Sequence, residues 1–73
     1  MTIFARKFGQ AVRRERENQG LSQEALGDLA GLDRTYVSGL ERATRNPTLA
    51  TMEKLAKALK VPLSKLVADA ERK

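Results

Sequence analysis

Apolar residues return every three or four positions along almost the whole chain, as at Phe4, Phe8 and Val12 and again at Met52, Leu55, Ala56 and Leu59. That spacing lays one apolar stripe along an α-helix. A sustained alternation of period two, the mark of a half-buried strand, occurs nowhere. Aromatic and β-branched residues are too few to build a sheet, and no Gly-Gly or Asn-Gly pair is present to turn a hairpin. The pattern predicts an all-α chain, with no internal repeat and no low-complexity tract.

Breakers and caps divide this pattern into five helices. The first runs from about Ile3 to Gln19 and is stopped by Asn18, Gln19 and Gly20, with Gly20 suited to a left-handed C-terminal conformation. The second starts at Ser22, whose hydroxyl can accept a bond from a first-turn backbone N–H. Leu21 just outside can pack on Leu26 four positions inside. Gly31 ends it. Asp33 repeats the arrangement for a third helix, with Leu32 outside and Val37 inside. Two short helices joined by a tight turn result. A polar loop from Arg42 to Pro47 leads to a fourth helix, capped by Thr48 and ending near Leu59 or Lys60, where Val61 and Pro62 interrupt it. A fifth begins near Pro62 with Leu63, Leu66, Val67 and Ala70 on one face, and Glu71, Arg72 and Lys73 are expected to fray.

Composition narrows what such a chain can do. With 73 residues it makes one domain with a small core, so extra stabilisation is expected. It has neither Cys nor His. Disulfides and zinc are therefore excluded, which leaves tight packing or a second subunit, and a homodimer is expected. Fourteen Lys and Arg against nine Asp and Glu give a net charge of +5, which favours polyanionic partners, nucleic acid first. Met1 through Gln10 lack the continuous apolar run of a signal peptide, and no stretch reaches membrane-spanning length. The expectation is a cytoplasmic protein with no membrane partner. Without His, Cys or a pair of carboxylates in a plausible cleft, an enzyme is not expected, nor is a metal or other cofactor.

The central segment carries the most information. Ala25, Leu26 and Leu29 of the second helix are placed to face Val37 and Leu40 of the third. Arg34, Thr35 and Ser38 then fall on the outward face of the third helix, in its first turns, where a helix entering the major groove of DNA points side chains at base edges. Their chemistry suits that position. Arginine can give two parallel N–H bonds to guanine O6 and N7, and threonine combines a hydroxyl with a methyl able to touch thymine. Gly39 removes bulk where another backbone could approach. Tyr36 has two readings: a ring on the core edge whose hydroxyl reaches a phosphate, or a core residue with a wet tip. Charge alone makes Arg42 and Arg14 further phosphate candidates.

Over essentially its whole length the sequence resembles the Cro and lambda-repressor-like (Xre-type) helix-turn-helix domains. The resemblance is carried by Gly20, Leu21, Ser22, Gln23 and Glu24, by Leu26 and Ala30, by the run from Val37 to Arg42, and by Asn46, Pro47 and Thr48. The run from Leu32 to Arg42 with Arg45, Asn46 and Pro47 is most similar to the controller proteins of restriction-modification systems. The resemblance implies a five-helix lambda-repressor-like fold over residues 1–73, with the helix-turn-helix at about 22–41 and a dimerisation region at about 48–70.

By the same resemblance, Gln23 opens the second helix as a phosphate anchor. Arg34, Thr35 and Ser38 match base-reading positions, and Arg45 matches a basic residue contacting the DNA backbone. Arg16 and Glu41 match a partly buried ion pair. Dimerisation is expected through Val61, Leu63, Leu66 and Val67, some of which also close the monomer core. One departure stands out: many relatives have glycine where this chain has Ala43, and alanine is disfavoured at positive φ. The path of Thr44 and Arg45 is therefore expected to differ slightly. The implied function is a homodimeric regulator that binds a pseudo-palindromic operator in double-stranded DNA, activating one promoter through contact with RNA polymerase and repressing another. The alternatives are a phage-type repressor or antitoxin-like regulator on the same fold and, further off, a helical protein-interaction module that does not bind DNA.

Overall fold

The computed structural model describes residues 2–72, which form five α-helices: α1 (Ile3–Asn18), α2 (Gln23–Ala30), α3 (Arg34–Glu41), α4 (Leu49–Ala58) and α5 (Leu63–Glu71). No strand is found among the described residues, as the absence of period-two alternation predicts. Met1 and Lys73, to which the readings of the two chain ends extended, lie outside the described residues. Of the three residues expected to fray, Glu71 is still helical and Arg72 caps the helix.

Three helix starts are closed by a hydroxyl. Thr2 Oγ1 accepts from the Ala5 N–H at 3.1 Å, Ser22 Oγ from the Ala25 N–H at 2.9 Å and Thr48 Oγ1 from the Thr51 N–H at 3.1 Å. Asp33 departs from the expectation. It sits at the N-cap of α3 in extended conformation, yet its side chain makes no capping bond. Its carboxylate is left in water at the positive end of the helix, where charge rather than a hydrogen bond favours it.

The helices end alike. After α1 the Leu21 N–H reaches back to the Arg16 carbonyl, after α2 the Leu32 N–H to Gly27, after α3 the Thr44 N–H to Gly39, and after α4 the Val61 N–H to Ala56. Each is the wide bond of a helix end that turns left-handed. Gly20 (φ 71) and Gly31 (φ 70) take that conformation as expected. Ala43 (φ 64) and Lys60 (φ 59) take it too, in spite of their Cβ atoms. The end of α3 therefore closes as a glycine-ended helix would, and the deviation expected at Ala43 is absent.

The core gathers Phe8, Ala11, Val12, Leu26, Ala30, Val37, Leu40, Leu55, Ala56, Leu59, Leu66 and Ala70 from all five helices. Leu21 and Leu32 pack against its edge from the two turns, as the staple positions predict. α1 lies against α5 and α3, α2 against α3 and α4, and α4 against α5. Leu29 is a correction: it is 62% exposed and does not join Val37 and Leu40. Leu26, Gly27 and Ala30 form the buried side of α2 instead, and Leu29 falls about 100° from the middle of that stripe at 3.6 residues per turn.

Polar ties add to the α1–α5 contact. The Lys65 ammonium donates to Glu15 Oε1 at 2.8 Å, and Arg14 donates to Asp69 Oδ2 at 3.0 Å. The bond from Lys65, seconded by one from Gln19, holds the Glu15 carboxyl below its ordinary pKa. No helix among the described residues is long and apolar enough to cross a membrane.

Candidate nucleic-acid interface

α3 is held from behind. Val37, Gly39, Leu40 and Glu41 are its buried residues, and α1 comes so close that a Cβ on Gly9 would collide with the Leu40 carbonyl oxygen. The Glu41 carboxylate receives Arg16 Nε–H at Oε2 (2.8 Å) and Arg16 Nη2–H at Oε1 (2.9 Å). A third N–H of Arg16 goes to the Leu21 carbonyl at 2.8 Å, and the Gln23 amide donates to Glu41 Oε1 at 3.1 Å. The pair expected between Arg16 and Glu41 is thus a two-bond fork, with side chains only 10% and 2% exposed. It ties α1, the turn before α2, the first residue of α2 and the last residue of α3 together. Hydrogen bonding to Glu41 raises the Arg16 pKa further above its already high ordinary value.

The other side of α3 is open. Arg34 and Thr35 are exposed and Ser38 is half-buried. Arg34, Ser38 and Arg42 follow one another at four-residue intervals and so form one strip along the helix. Arg42 is exposed and its Nε–H turns back to the Ser38 carbonyl at 3.4 Å. Tyr36 lies half-buried outside the core cluster. The Arg45 guanidinium stands over its ring at 6.0 Å from the centroid. Tyr36 is therefore a half-buried ring beneath an arginine.

Among the described residues the ion pairs are Arg13–Glu17, Arg14–Asp69, Arg16–Glu41, Lys65–Glu15 and Arg72–Asp69. Arg34, Arg42 and Arg45 take part in none of them, and neither do Arg6, Lys54, Lys57 and Lys60, so the open side of α3 and the loop after it are one of several places where basic side chains stand outside an ion pair. Arg14 is not brought to this face. It is bound to Asp69 of α5, two residues and hence about 200° around α1 from the Arg16 that points at α3. Gln23 reaches the edge of the face but gives one N–H to Glu41. No group of three metal-ligating side chains occurs among the described residues.

The residues expected to pair two protomers separate into two kinds. Leu66 is 2% exposed and belongs to the monomer core, which corrects its assignment to the dimer surface. Val61, Leu63 and Val67 are half-buried, the first two resting against the core. Leu49, at the start of α4, is 62% exposed and was not singled out by the sequence pattern.

Residues 12–66 match a family model described as helix-turn-helix. The control protein C.SmaI of Serratia marcescens is 48% identical over 56 residues, covering 77% of this chain and 67% of that protein. The control protein C.BamHI of Bacillus amyloliquefaciens is 49% identical over 55 residues, covering 74% and 68%. Among solved structures, the restriction-modification controller protein C.AhdI from Aeromonas hydrophila superposes with a TM-score of 0.83 at 50% identity, covering 85% of this chain and 94% of that one. These relatives are regulators and not enzymes, and the open, arginine-bearing third helix is the part such a regulator would present to DNA. The chain belongs to the Xre-like helix-turn-helix family of transcription regulators and, within it, is similar to the control proteins of restriction-modification systems.

Proposed function

We propose that the protein is a homodimeric controller that reads a pseudo-palindromic operator with α3 of each protomer. One observation carries this reading: Arg34, Thr35 and Ser38 stand on the solvent side of a helix locked from behind, and among the described residues no ion pair takes up Arg34. Arg34 and Thr35 open the helix, so they lead it into the major groove. Arg34 would give two N–H bonds to guanine, and Thr35 and Ser38 would test the neighbouring pairs. Arg42, Arg45, the Tyr36 hydroxyl and the remaining N–H of Gln23 would hold phosphates and set the register. Arg14, bound to Asp69 on the far side of α1, is left out of this set.

One short helix touches few base pairs, so two copies on half-sites about 34–36 Å apart are needed for selectivity. The half-buried Val61, Leu63 and Val67 would supply the contact. The similarity to control proteins supports a regulatory role in a restriction-modification system; activation through RNA polymerase at one operator and repression at another is the form this reading gives that role.

The reading is tested by selecting duplexes from a randomised pool with the wild-type protein and titrating Arg34→Ala against a selected and a shuffled duplex. The expected variant loses about 1–3 kcal/mol of preference for the selected duplex and keeps salt-sensitive binding to both. An unchanged preference would remove α3 as the reader.

A further inference from the structure

Gly39 lies in the middle of α3, where glycine weakens a helix relative to alanine, and neither base reading nor the core accounts for it. Its surroundings do. A Cβ built on Gly39 would stand 2.8 Å from Arg45 Cγ and 3.1 Å from Thr44 Oγ1. The loop after α3 folds back over this point. Its backbone is fixed there by the Thr44 N–H on the Gly39 carbonyl at 2.8 Å, its side chain by Thr44 Oγ1 on the same carbonyl at 3.1 Å, and its turn by the left-handed Ala43. The aliphatic stem of Arg45 therefore crosses α3 in the groove left by the missing Cβ, and that path carries its guanidinium over the Tyr36 ring.

From this arrangement we propose that Gly39 is a positioning residue for DNA binding: it presets Arg45 against Tyr36 as a two-residue clamp for a DNA phosphate beside the groove that α3 enters. The inference rests on the reading of α3 as the DNA-binding helix and adds to it. A long exposed arginine ordinarily loses rotamer freedom when it grips a phosphate, and a stem already seated on Gly39 has lost part of that freedom beforehand. The contact is with the backbone, so it strengthens binding to every sequence alike and leaves base preference to Arg34, Thr35 and Ser38.

Gly39→Ala tests this without touching a contact residue. Alanine favours the helix over glycine, so the fold is kept, which far-ultraviolet circular dichroism checks. The added Cβ forces Arg45 off Tyr36. Tyr36 is the only tyrosine, and the chain has no tryptophan, so its ring protons report on the pair in the DNA-free protein. Gly39→Ala and Arg45→Ala are expected to move these resonances in the same direction. Binding of Gly39→Ala to a selected and a shuffled duplex is expected to fall equally, by about twofold to tenfold, the cost of ordering one long side chain anew. Arg45→Ala is expected to lower the slope of log affinity against log salt by about one. In the Arg45→Ala background, Gly39→Ala is expected to change neither quantity further.

Tyr36 resonances that Gly39→Ala leaves unchanged would overturn the proposal. So would an affinity loss as large in the Arg45→Ala background as in the wild-type background, because glycine would then act on the helix itself. A wild-type protein that binds neither duplex would overturn the DNA reading and the clamp together. Arg34→Ala failing to alter preference while the Gly39 and Arg45 results hold would overturn the first alone.

Discussion

Arg16 gives three N–H groups to two other parts of the chain, and the carboxylate it meets is shielded from water on nearly every side. Removing one partner of such a pair leaves a charge buried without compensation. Arg16→Ala is expected to cost about 3–5 kcal/mol in urea unfolding, since only the Gln23 amide would remain on Glu41. Arg13→Ala is the contrast. Its pair with Glu17 is open to solvent, with side chains 61% and 53% exposed, and a loss within about 1 kcal/mol is expected. Two charged residues separated by 25 positions carry no local signal that they meet, and the family resemblance alone pointed to them. The caps at Ser22 and Thr48 needed no such help, because a hydroxyl just before an apolar helical run is a local pattern. Asp33 shows the boundary of that logic: its place at the cap is legible in the chain, but whether its carboxylate turns inward is not.

At the scale of the elements, four helices finish with the same left-handed turn, and only two of them use glycine for it. Ala43 and Lys60 bear a Cβ in a conformation that disfavours it by about 1–2 kcal/mol. Glycine relieves this but gives the unfolded chain more freedom, by about 0.4–1 kcal/mol. Ala43→Gly and Lys60→Gly are each expected to stabilise the fold by about 0.5–1 kcal/mol on balance, seen as a rise in Tm of about 2–8 °C. The number and type of helices were legible because apolar spacing and breakers agree along the chain. The roll of α2 was not. Gly27 and Ala30 are small, and a Cβ on Gly27 would fall 2.5 Å from the Leu32 carbonyl oxygen in the turn that follows. The buried side of α2 therefore includes a glycine, and a glycine does not count as an apolar position in a hydrophobicity pattern.

For the molecule as a whole, a small core leaves two kinds of leucine and valine on the last helix that periodicity cannot tell apart. Leu66 and Val67 are neighbours in sequence, yet Leu66 is 2% exposed and Val67 only half-buried. Leu66→Ala is expected to cost about 2–5 kcal/mol by opening a cavity, measured by thermal or urea unfolding. Val67→Asp is expected to keep the helical spectrum and to shift the sedimenting species from dimer to monomer. A fully dimeric Val67→Asp protein would move the pairing surface away from α5. Leu49 would then be the first residue to examine, being exposed and lying within the predicted 48–70 region.

The third helix is secured differently at its two ends. Glu41 is clasped by Arg16 and Gln23 and the next turn is sewn to Gly39, whereas at the opening no side chain binds the first amides and Arg34 and Thr35 reach into water. There the hold is apolar: Leu32 just before the helix packs against the core and Val37, four residues in, is fully buried. The angle at which the helix leaves the globule is thus set at both ends, and an operator has to match a surface already shaped instead of moulding it.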